Sequence, residues 1–174
     1  LKTPNEEPVL CTQGVGGHLT HFFAQSYHAL DLRCPVGTKV VAIGDGVVRE
    51  IAQSHKCSGI HVANLSHWNS ISIELDGGFW AEYVHISPDS ARVKLGDRVQ
   101  AGQVICDSGD IGFAPEPHLH IELHRASHHE GPSLPLRFRS EIPDPLGILG
   151  EQGQAFLPVA GLWYSRCGEA SGGR

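Results

Sequence analysis

The fold of this chain is decided by one stretch of sequence, Pro117-His118-Leu119-His120-Ile121-Glu122-Leu123. Its polar and apolar residues alternate, and side chains in a β-strand alternate between the two faces of the sheet. His118, His120 and Glu122 therefore share one face of a predicted strand, and the apolar residues between them face the other side. Two imidazoles on one face can hold one metal ion together, or one can bind the metal while the other transfers protons.

Composition predicts one globular domain with little helix. The chain of 174 residues is 40% hydrophobic and 18% charged, so it is globular rather than disordered. Glycine (21 residues) and proline (11 residues) are abundant, which favours many short strands and turns. The net charge of −6 argues against a nucleic-acid partner, and no apolar run approaches the length of a membrane span. The oligomeric state stays open.

Histidine and cysteine are the unusual parts of the composition. Twelve histidines are a high count, and metal or proton chemistry is its natural explanation. No cysteine belongs to a Cys-x-x-Cys pair, which disfavours a zinc-ribbon site. The five cysteines either form one or two disulfides in an oxidising compartment, with at least one thiol left over, or they are small buried apolar residues. They are Cys11, Cys34, Cys57, Cys106 and Cys167.

The rest of the chain reads as short strands joined by turns, with no helix predicted. A strand, tight turn and strand are predicted over residues 36–48, and a hairpin over 71–86 with its turn at 76–78. In the return strand of that hairpin, alternation places His85 on the same face as Tyr83. Further strands are predicted at 29–32, 118–123 and 134–138, and residues 54–70 read as a polar loop.

Two segments repeat one short pattern. Residues 36–42 and 95–101 both read apolar-Gly-x-basic-Val-x-Ala. The repeat predicts two related β-units that face each other.

The histidine strand closes an ordered set of motifs that covers roughly residues 18–140. The motifs are Ala29-Leu30-Asp31, Val36-Gly37-Thr38-x-Val40-x-Ala42, Asp45-Gly46-Val47-Val48, Tyr83-Val84-His85-Ile86, Gly96-Asp97-x-Val99-x-Ala101-Gly102-Gln103, Ser108-Gly109-x-x-Gly112 and His118-Leu119-His120-x-Glu122. As a set, they resemble the lysostaphin-type (LytM, β-lytic) zinc metallopeptidases. The resemblance implies an all-β fold of antiparallel sheets, the sandwich-like or barrel-like duplicated hybrid motif, with few or no helices.

The resemblance also implies a division of the chain into three parts. Residues 1–17 are expected to be an N-terminal extension, 18–140 the metallopeptidase domain, and 141–174 a Pro- and Gly-rich tail packed on that domain. The chain begins at Leu1 and contains no Met, so we expect the numbering to start after processing or at a domain boundary. The family implies an extracellular or periplasmic location.

One zinc ion is implied, held by a His, an Asp and the second His of His-x-His. Carried over, Asp31 and His120 are two of these ligands. The third is open among His21, His28 and His18. His28 lies only three positions before Asp31, and positions three apart in a strand face opposite sides. A subgroup of the family has its ligand further upstream of Tyr-Ala-Leu-Asp, which favours His21.

The two remaining family histidines map to His85 and His118. Three protein ligands leave zinc an open position for water, whose pKa the metal lowers. We expect His118 mainly to accept and return protons and His85 mainly to stabilise the oxyanion, although the two roles could be exchanged. Glu122 either orients a ligand by a hydrogen bond or is a solvated strand residue.

The leading prediction is a zinc metalloendopeptidase that hydrolyses peptide bonds of bacterial peptidoglycan, Gly-rich or containing D-amino acids, by zinc-activated water. One alternative is a weak or inactive module of the same fold that binds peptidoglycan or protein. Another is phosphotransfer through paired histidines, since sugar-transport phosphocarrier domains share the hybrid-motif fold. Specificity is expected in loops 53–70 and 124–133. The other histidines are expected in polar loops or on the surface, namely His55, His61, His67, His124, His128 and His129.

Overall fold

A computed structural model of the chain describes residue 1 and residues 7–126, 131–139 and 155–164. Short strands make up most of its regular structure. The strands are β1 (Val9–Gln13), β2 (Leu30–Arg33), β3 (Lys39–Val41), β4 (Gly46–Ala52), β5 (Ser70–Leu75), β6 (Trp80–Val84), β7 (Arg98–Val99), β8 (Val104–Asp107), β9 (His118–His124), β10 (Phe138–Arg139), β11 (Ala155–Phe156) and β12 (Trp163–Tyr164). The longest helical segment among these residues is one 3-10 helix, Val62–Ser66.

The strands form one large antiparallel sheet and two small ones. The large sheet has eight strands in the order β12-β1-β2-β9-β6-β5-β4-β7. The small sheets are the pairs β3-β8 and β10-β11. The predicted all-β antiparallel fold is therefore confirmed. Among the described residues, no helix has the length and hydrophobicity needed to cross a membrane.

Strand β9 lies inside the large sheet because both of its edges are paired. Its apolar residues Leu119 and Ile121 are each 3% exposed and pack into the core. Opposite them on β2 stand Leu32 and Leu30. Burial of such side chains contributes about 1.5–3 kcal/mol each. This core face fixes the register, since a shift by one residue would turn the histidines inward.

The other face of β9 receives the polar residues of its neighbours. Asp31 on β2 stands directly opposite His120, and Glu82 on β6 stands directly opposite Glu122. Residues that face each other across an antiparallel pair lie on the same side of the sheet. The register thus brings Asp31 to the histidine face.

The predicted hairpin and the predicted repeat are both present. β5 and β6 pair across a turn in which Gly78 has a φ of 75°. In the two repeated segments, Gly37 and Gly96 both adopt a positive φ, 87° and 86°. In both, the valine three positions later, Val40 or Val99, is fully buried. The two copies thus share one local structure, a glycine turn followed by a short strand.

The structure differs from the sequence predictions at 54–70 and 134–138. Residues 54–70 include the 3-10 helix, which His61 caps by accepting a hydrogen bond from the Ala63 N–H. In place of a strand over 134–138 there is a single bridge at Leu134 and then β10. Pro135 lies directly after the bridge and has no N–H to donate to a ladder.

Residues outside 18–140 also take part in the large sheet. β1 pairs with β2, and β12 pairs with β1 at the sheet edge. Cys11 on β1, Cys34 and Cys106 are buried free thiols, and Cys57 is an exposed one. The predictions for His128, His129 and Cys167 fall outside the described residues.

Candidate metal centre

Three side chains of ligand type converge on the polar face of β9. His21, Asp31 and His120 each offer one ligand atom, and these atoms lie within 4.8 Å of one another. Asp31 Oδ1 is 2.8 Å from His120 Nδ1 and 3.2 Å from His21 Nε2. The two imidazole nitrogens are 3.3 Å apart. All three residues are buried, so the group is enclosed by protein rather than dispersed on the surface.

Different elements supply the three residues. Asp31 and His120 face each other across the β2-β9 ladder. His21 comes from the connection between β1 and β2, residues 14–29, which we call the ligand loop. His28 belongs to the same loop but points elsewhere, with its Nδ1 2.8 Å from the Ser133 carbonyl oxygen. His18 is exposed and is not part of the convergent group.

The hydrogen bonds of the two histidines fix which nitrogen faces the centre. His21 Nδ1 lies 2.9 Å from the Gly14 carbonyl oxygen, which can only accept, so Nδ1 carries the proton and Nε2 is free. His120 Nε2 lies 3.3 Å from Glu122 Oε2, so Nδ1 is the free nitrogen there. With a metal bound, these two nitrogens would both be unprotonated, so that two imidazole nitrogens and one carboxylate oxygen would point at one position. This donor set suits zinc, which takes nitrogen and oxygen ligands.

Charge also favours a cation at this position. Burial disfavours the Asp31 carboxylate, but hydrogen bonds from His120 and His21 hold its pKa well below the usual range. Burial likewise disfavours a charged His120, yet Asp31 and Glu122 raise its pKa to about 10. With no metal, the proton on His120 supplies the positive charge that the carboxylates require. A divalent cation would supply it instead and free the imidazole nitrogen.

Gln13, at the end of β1, holds the second oxygen of Asp31. Its Nε2 donates to Asp31 Oδ2 at 2.8 Å. Its Oε1 accepts the backbone N–H groups of Leu19 and Thr20 at 2.9 and 3.1 Å. One buried amide thus connects the carboxylate ligand to the ligand loop. The sequence analysis assigned no role to Gln13. The feature that could have indicated one is its position, as a polar residue at the end of an apolar segment and directly before Gly14.

His85 reaches the centre through an unusual backbone conformation. It directly follows β6 and has a φ of 64°, which is uncommon outside glycine. Strict alternation would place it with Tyr83, which is fully buried in the core. The predicted shared face is therefore wrong, because the left-handed residue turns the chain. The His85 ring lies with its centroid 4.6 Å from that of His118, on the polar side.

His85 and His118 each have one ring nitrogen occupied by a backbone carbonyl. His85 Nδ1 donates to the Ile111 oxygen at 2.7 Å, and His118 Nδ1 to the Glu116 oxygen at 2.8 Å. The Nε2 atoms carry the free lone pairs, and His118 Nε2 is 3.6 Å from Asp31 Oδ1. Burial and the neighbouring imidazoles lower the pKa of His85 to about 3, so this ring is neutral near pH 7.

A second layer of buried polar groups supports His120. Glu122 is 7% exposed, and its Oε1 lies 3.1 Å from His124 Nε2. Its other oxygen contacts His120, so it orients a ligand-type residue and is not solvated. The predicted surface position of His124 is wrong, because β9 continues to this residue and buries it fully. Burial and the Glu122 charge raise the pKa of Glu82, the carboxyl group facing Glu122.

Two grooves meet at the centre. The apolar groove, about 500 Å³, is lined by hydrophobic side chains that include Phe23, Leu65 and Trp68. The glycine groove, about 760 Å³, runs between residues 14–17 and 157–160. Asp31 and His118 line both. An extended chain that passes from one groove to the other would therefore cross Asp31 and His118.

Comparison with known proteins gives relatives with peptidase activity. Glycyl-glycine endopeptidase ALE-1 of Staphylococcus capitis is 35% identical over 97 residues, 56% of this chain and 24% of the relative. Peptidoglycan DD-endopeptidase ShyC of Vibrio cholerae is 28% identical over 136 residues, 78% of this chain and 28% of the relative. This chain thus spans about a quarter of the length of these relatives.

Solved structures share the fold. The catalytic domain of EnpA from Enterococcus faecalis, an M23 protein, aligns with a TM-score of 0.56 at 25% identity, covering 77% of this chain and 93% of that one. The lysostaphin catalytic domain from Staphylococcus simulans aligns with a TM-score of 0.50 at 25% identity, covering 74% and 89%. Residues 25–132, more than half of the chain, match the family model described as Peptidase family M23. The chain belongs to peptidase family M23, and its resemblance to the lysostaphin-type peptidases is confirmed.

Proposed function

We propose that this peptidase is a zinc-dependent metalloendopeptidase that cleaves peptide bonds in bacterial peptidoglycan. The observation that carries the proposal is the convergence of His21 Nε2, Asp31 Oδ1 and His120 Nδ1, with the free nitrogens of His85 and His118 beside them. Three ligands form a site that leaves a metal position open to a reactant. When bound, zinc supplies a Lewis acid that activates water and polarises the scissile carbonyl.

In this proposal His118 is the proton carrier. Its Nδ1–H is fixed by the Glu116 carbonyl, so Nε2 is the atom that accepts a proton and later delivers it to the leaving amine. His85 is the electrophilic partner in the same proposal. A ring N–H that donates a hydrogen bond to the developing oxyanion contributes on the order of 3 kcal/mol. Because the Ile111 carbonyl holds the Nδ1 proton of His85, this donation would come from Nε2 of a ring that has taken up a second proton.

The substrate class comes from the relatives. One is described as a glycyl-glycine endopeptidase and another as a peptidoglycan DD-endopeptidase. The first name concerns Gly–Gly bonds and the second concerns peptide bonds of peptidoglycan. We therefore propose peptidoglycan cross-links as the substrate, and an extracellular or periplasmic site of action, where that polymer lies. Oligoglycine peptides and cross-linked muropeptides form the matching assay panel.

The test separates metal binding from hydrolysis. His118→Ala is expected to abolish hydrolysis of the panel while one zinc ion per chain is retained, because His118 is not among the three ligands. His120→Ala is expected to lose both hydrolysis and bound zinc. His61→Ala, at an exposed position, is expected to retain both. Metal content by mass spectrometry and product formation by chromatography provide the readouts.

The alternatives have distinct outcomes in the same assay. Zinc-free wild-type protein that binds peptidoglycan without cleaving it would replace the peptidase with a binding module. Hydrolysis that survives in His118→Ala would remove the proton role from this residue. Transfer of phosphate from a phosphocarrier to His118 would support the paired-histidine phosphotransfer reading.

A further inference from the structure

The glycine groove is built by residues outside the family match. Its two walls are residues 14–17, at the start of the ligand loop, and residues 157–160 near the end of the described chain. The family match covers residues 25–132 only. The groove nevertheless reaches Asp31 and His118, the residues at the centre of the proposed chemistry. The groove therefore joins residues outside the family match to the candidate site.

The C-terminal wall is held in place by backbone pairing. β12 follows this wall and pairs with β1. Gly161 N–H donates to the Cys11 carbonyl oxygen at 2.8 Å, and Cys11 N–H donates to the Leu162 oxygen at 3.0 Å. The Tyr164 hydroxyl accepts the N–H of Val159 at 2.8 Å. These bonds attach the wall to the same sheet that carries Asp31.

The two walls touch at Gly14. A Cβ on this residue would lie 3.1 Å from the Pro158 carbonyl oxygen and 3.5 Å from the Ala160 nitrogen, so the close approach depends on glycine. The carbonyl of Gly14 also accepts the Nδ1–H of His21. The C-terminal wall thus packs against the residue that orients one ligand-type histidine.

We infer that the glycine groove is a substrate subsite that binds the peptide on one side of the scissile bond. The inference rests on the proposed function. A linear peptide that crosses the centre from the apolar groove can leave along the glycine groove, because Asp31 and His118 line both. Side chains on Gly14, Gly16 and Gly17 would meet Pro158, Tyr27 and Gln13, so the glycines let this wall pack closely beside the groove. Leu157, Val159 and Ala160 of the other wall suit small, uncharged residues such as glycine or alanine.

Val159 provides a direct test because it is 49% exposed and lines the groove. Val159→Trp fills the groove with little effect on the core. The control is Val36→Trp, since Val36 is 56% exposed in the turn before β3 and lines neither groove. The substrates are labelled peptides around the cleaved bond, in a minimal form and in forms elongated on the amino or the carboxyl side. For one elongated form, Val159→Trp is expected to raise KM about tenfold or more, in the range that one misfitting group causes. Val36→Trp is expected to leave KM unchanged for every peptide, and both variants are expected to keep the zinc content of the wild type.

The opposite result is equally clear. If Val159→Trp and Val36→Trp give the same KM for both elongated forms, the groove is not a subsite. If Val159→Trp unfolds at a lower temperature than wild type, the KM measurement is repeated with Ala160→Leu, at another exposed position of the wall.

A binding measurement separates this inference from the proposed function. In the His118→Ala background, Kd values for the elongated peptides are measured with and without Val159→Trp. If no peptide is ever cleaved but Val159→Trp weakens binding about tenfold, the subsite stands and the proposed hydrolysis fails. If cleavage occurs and Val159→Trp leaves both Kd and KM unchanged, the hydrolysis stands and the subsite fails.

Discussion

The candidate metal centre is built by two regions that work in different ways, the β2-β9 strand pair and the ligand loop. The strand pair places Asp31 and His120 by register alone, and the apolar core behind β9 enforces that register. The ligand loop places His21 with separate hydrogen bonds, through the Gly14 carbonyl and the Gln13 amide. The placement of Asp31 and His120 is therefore expected to depend on core packing, and the placement of His21 on single polar contacts.

The largest expected effect concerns the loop histidine. His21→Ala should lower zinc affinity by more than about 100-fold, since even the loss of an outer hydrogen bond to a ligand costs 10–100-fold. His28→Ala should leave zinc affinity unchanged, because its ring is bonded to Ser133 instead. Competition with a chromophoric chelator measures both. If His28→Ala lowers zinc affinity and His21→Ala does not, then His28 is the ligand and the proposed role of His21 is wrong.

The next effect tests the strand side through its core. Ile121→Ala should lower the free energy of unfolding by about 2–5 kcal/mol, the range for truncating a large buried aliphatic side chain. Ile121 is 3% exposed and faces Leu30 on β2. Val62→Ala, at an exposed position, should change that free energy by less than about 0.5 kcal/mol. Urea denaturation of the zinc-free protein measures both, and equal effects would contradict a register set by the core.

A smaller effect is expected at the contacts that orient the ligands. Gln13→Ala should lower zinc affinity about 10–100-fold, because it frees Asp31 Oδ2 and the backbone of residues 19–20. Glu122→Gln should cost less, because an amide oxygen can still accept the Nε2–H of His120. Zinc titration ranks the two variants.

Gly17→Ala provides an independent check on the role of Gln13. A Cβ at this position would lie 2.2 Å from Gln13 Cγ, so the glutamine must shift. If Gly17→Ala or Gln13→Ala binds zinc as wild type does, the ligand loop does not depend on this amide.

The smallest effect is expected outside the centre, at Asp107 on β8. Burial opposes its charge, but the hydrogen bonds from Lys39 and Arg92 and the charges of these two residues together lower its pKa. A lowered carboxyl pKa stabilises the fold above the unfolded-state value of about 3.9, and this contribution is lost as pH falls through the folded value. Since both partners are nearly half exposed, Asp107→Asn should cost less than about 1 kcal/mol at pH 7. It should cost nothing at a pH below the folded pKa. Denaturation of the zinc-free variant at the two pH values measures this, and a larger or pH-independent loss would contradict the ion pairs.

The same contrast explains what could be predicted from sequence. Alternation in β9 predicted its buried and polar faces, because strand periodicity carries this information. The association of Asp31 with His120 was implied only by the resemblance to the family. The choice among His21, His28 and His18 could not be made from spacing, since it depends on bonds to Gly14 and Ser133 that are distant in sequence or made by the backbone. The sequence analysis also missed the turn at His85 and the burial of His124. Both depend on where a strand ends, and tertiary contacts determine that position.

The central claim is that a strand pair and a loop together form one zinc site. Anomalous scattering at the zinc edge from crystals of the zinc-loaded protein tests it most directly. We expect one strong peak, bound by His21 Nε2, Asp31 Oδ1 and His120 Nδ1. A peak bound by His28 or His18 in place of His21, or no peak between β2 and β9, would contradict the account.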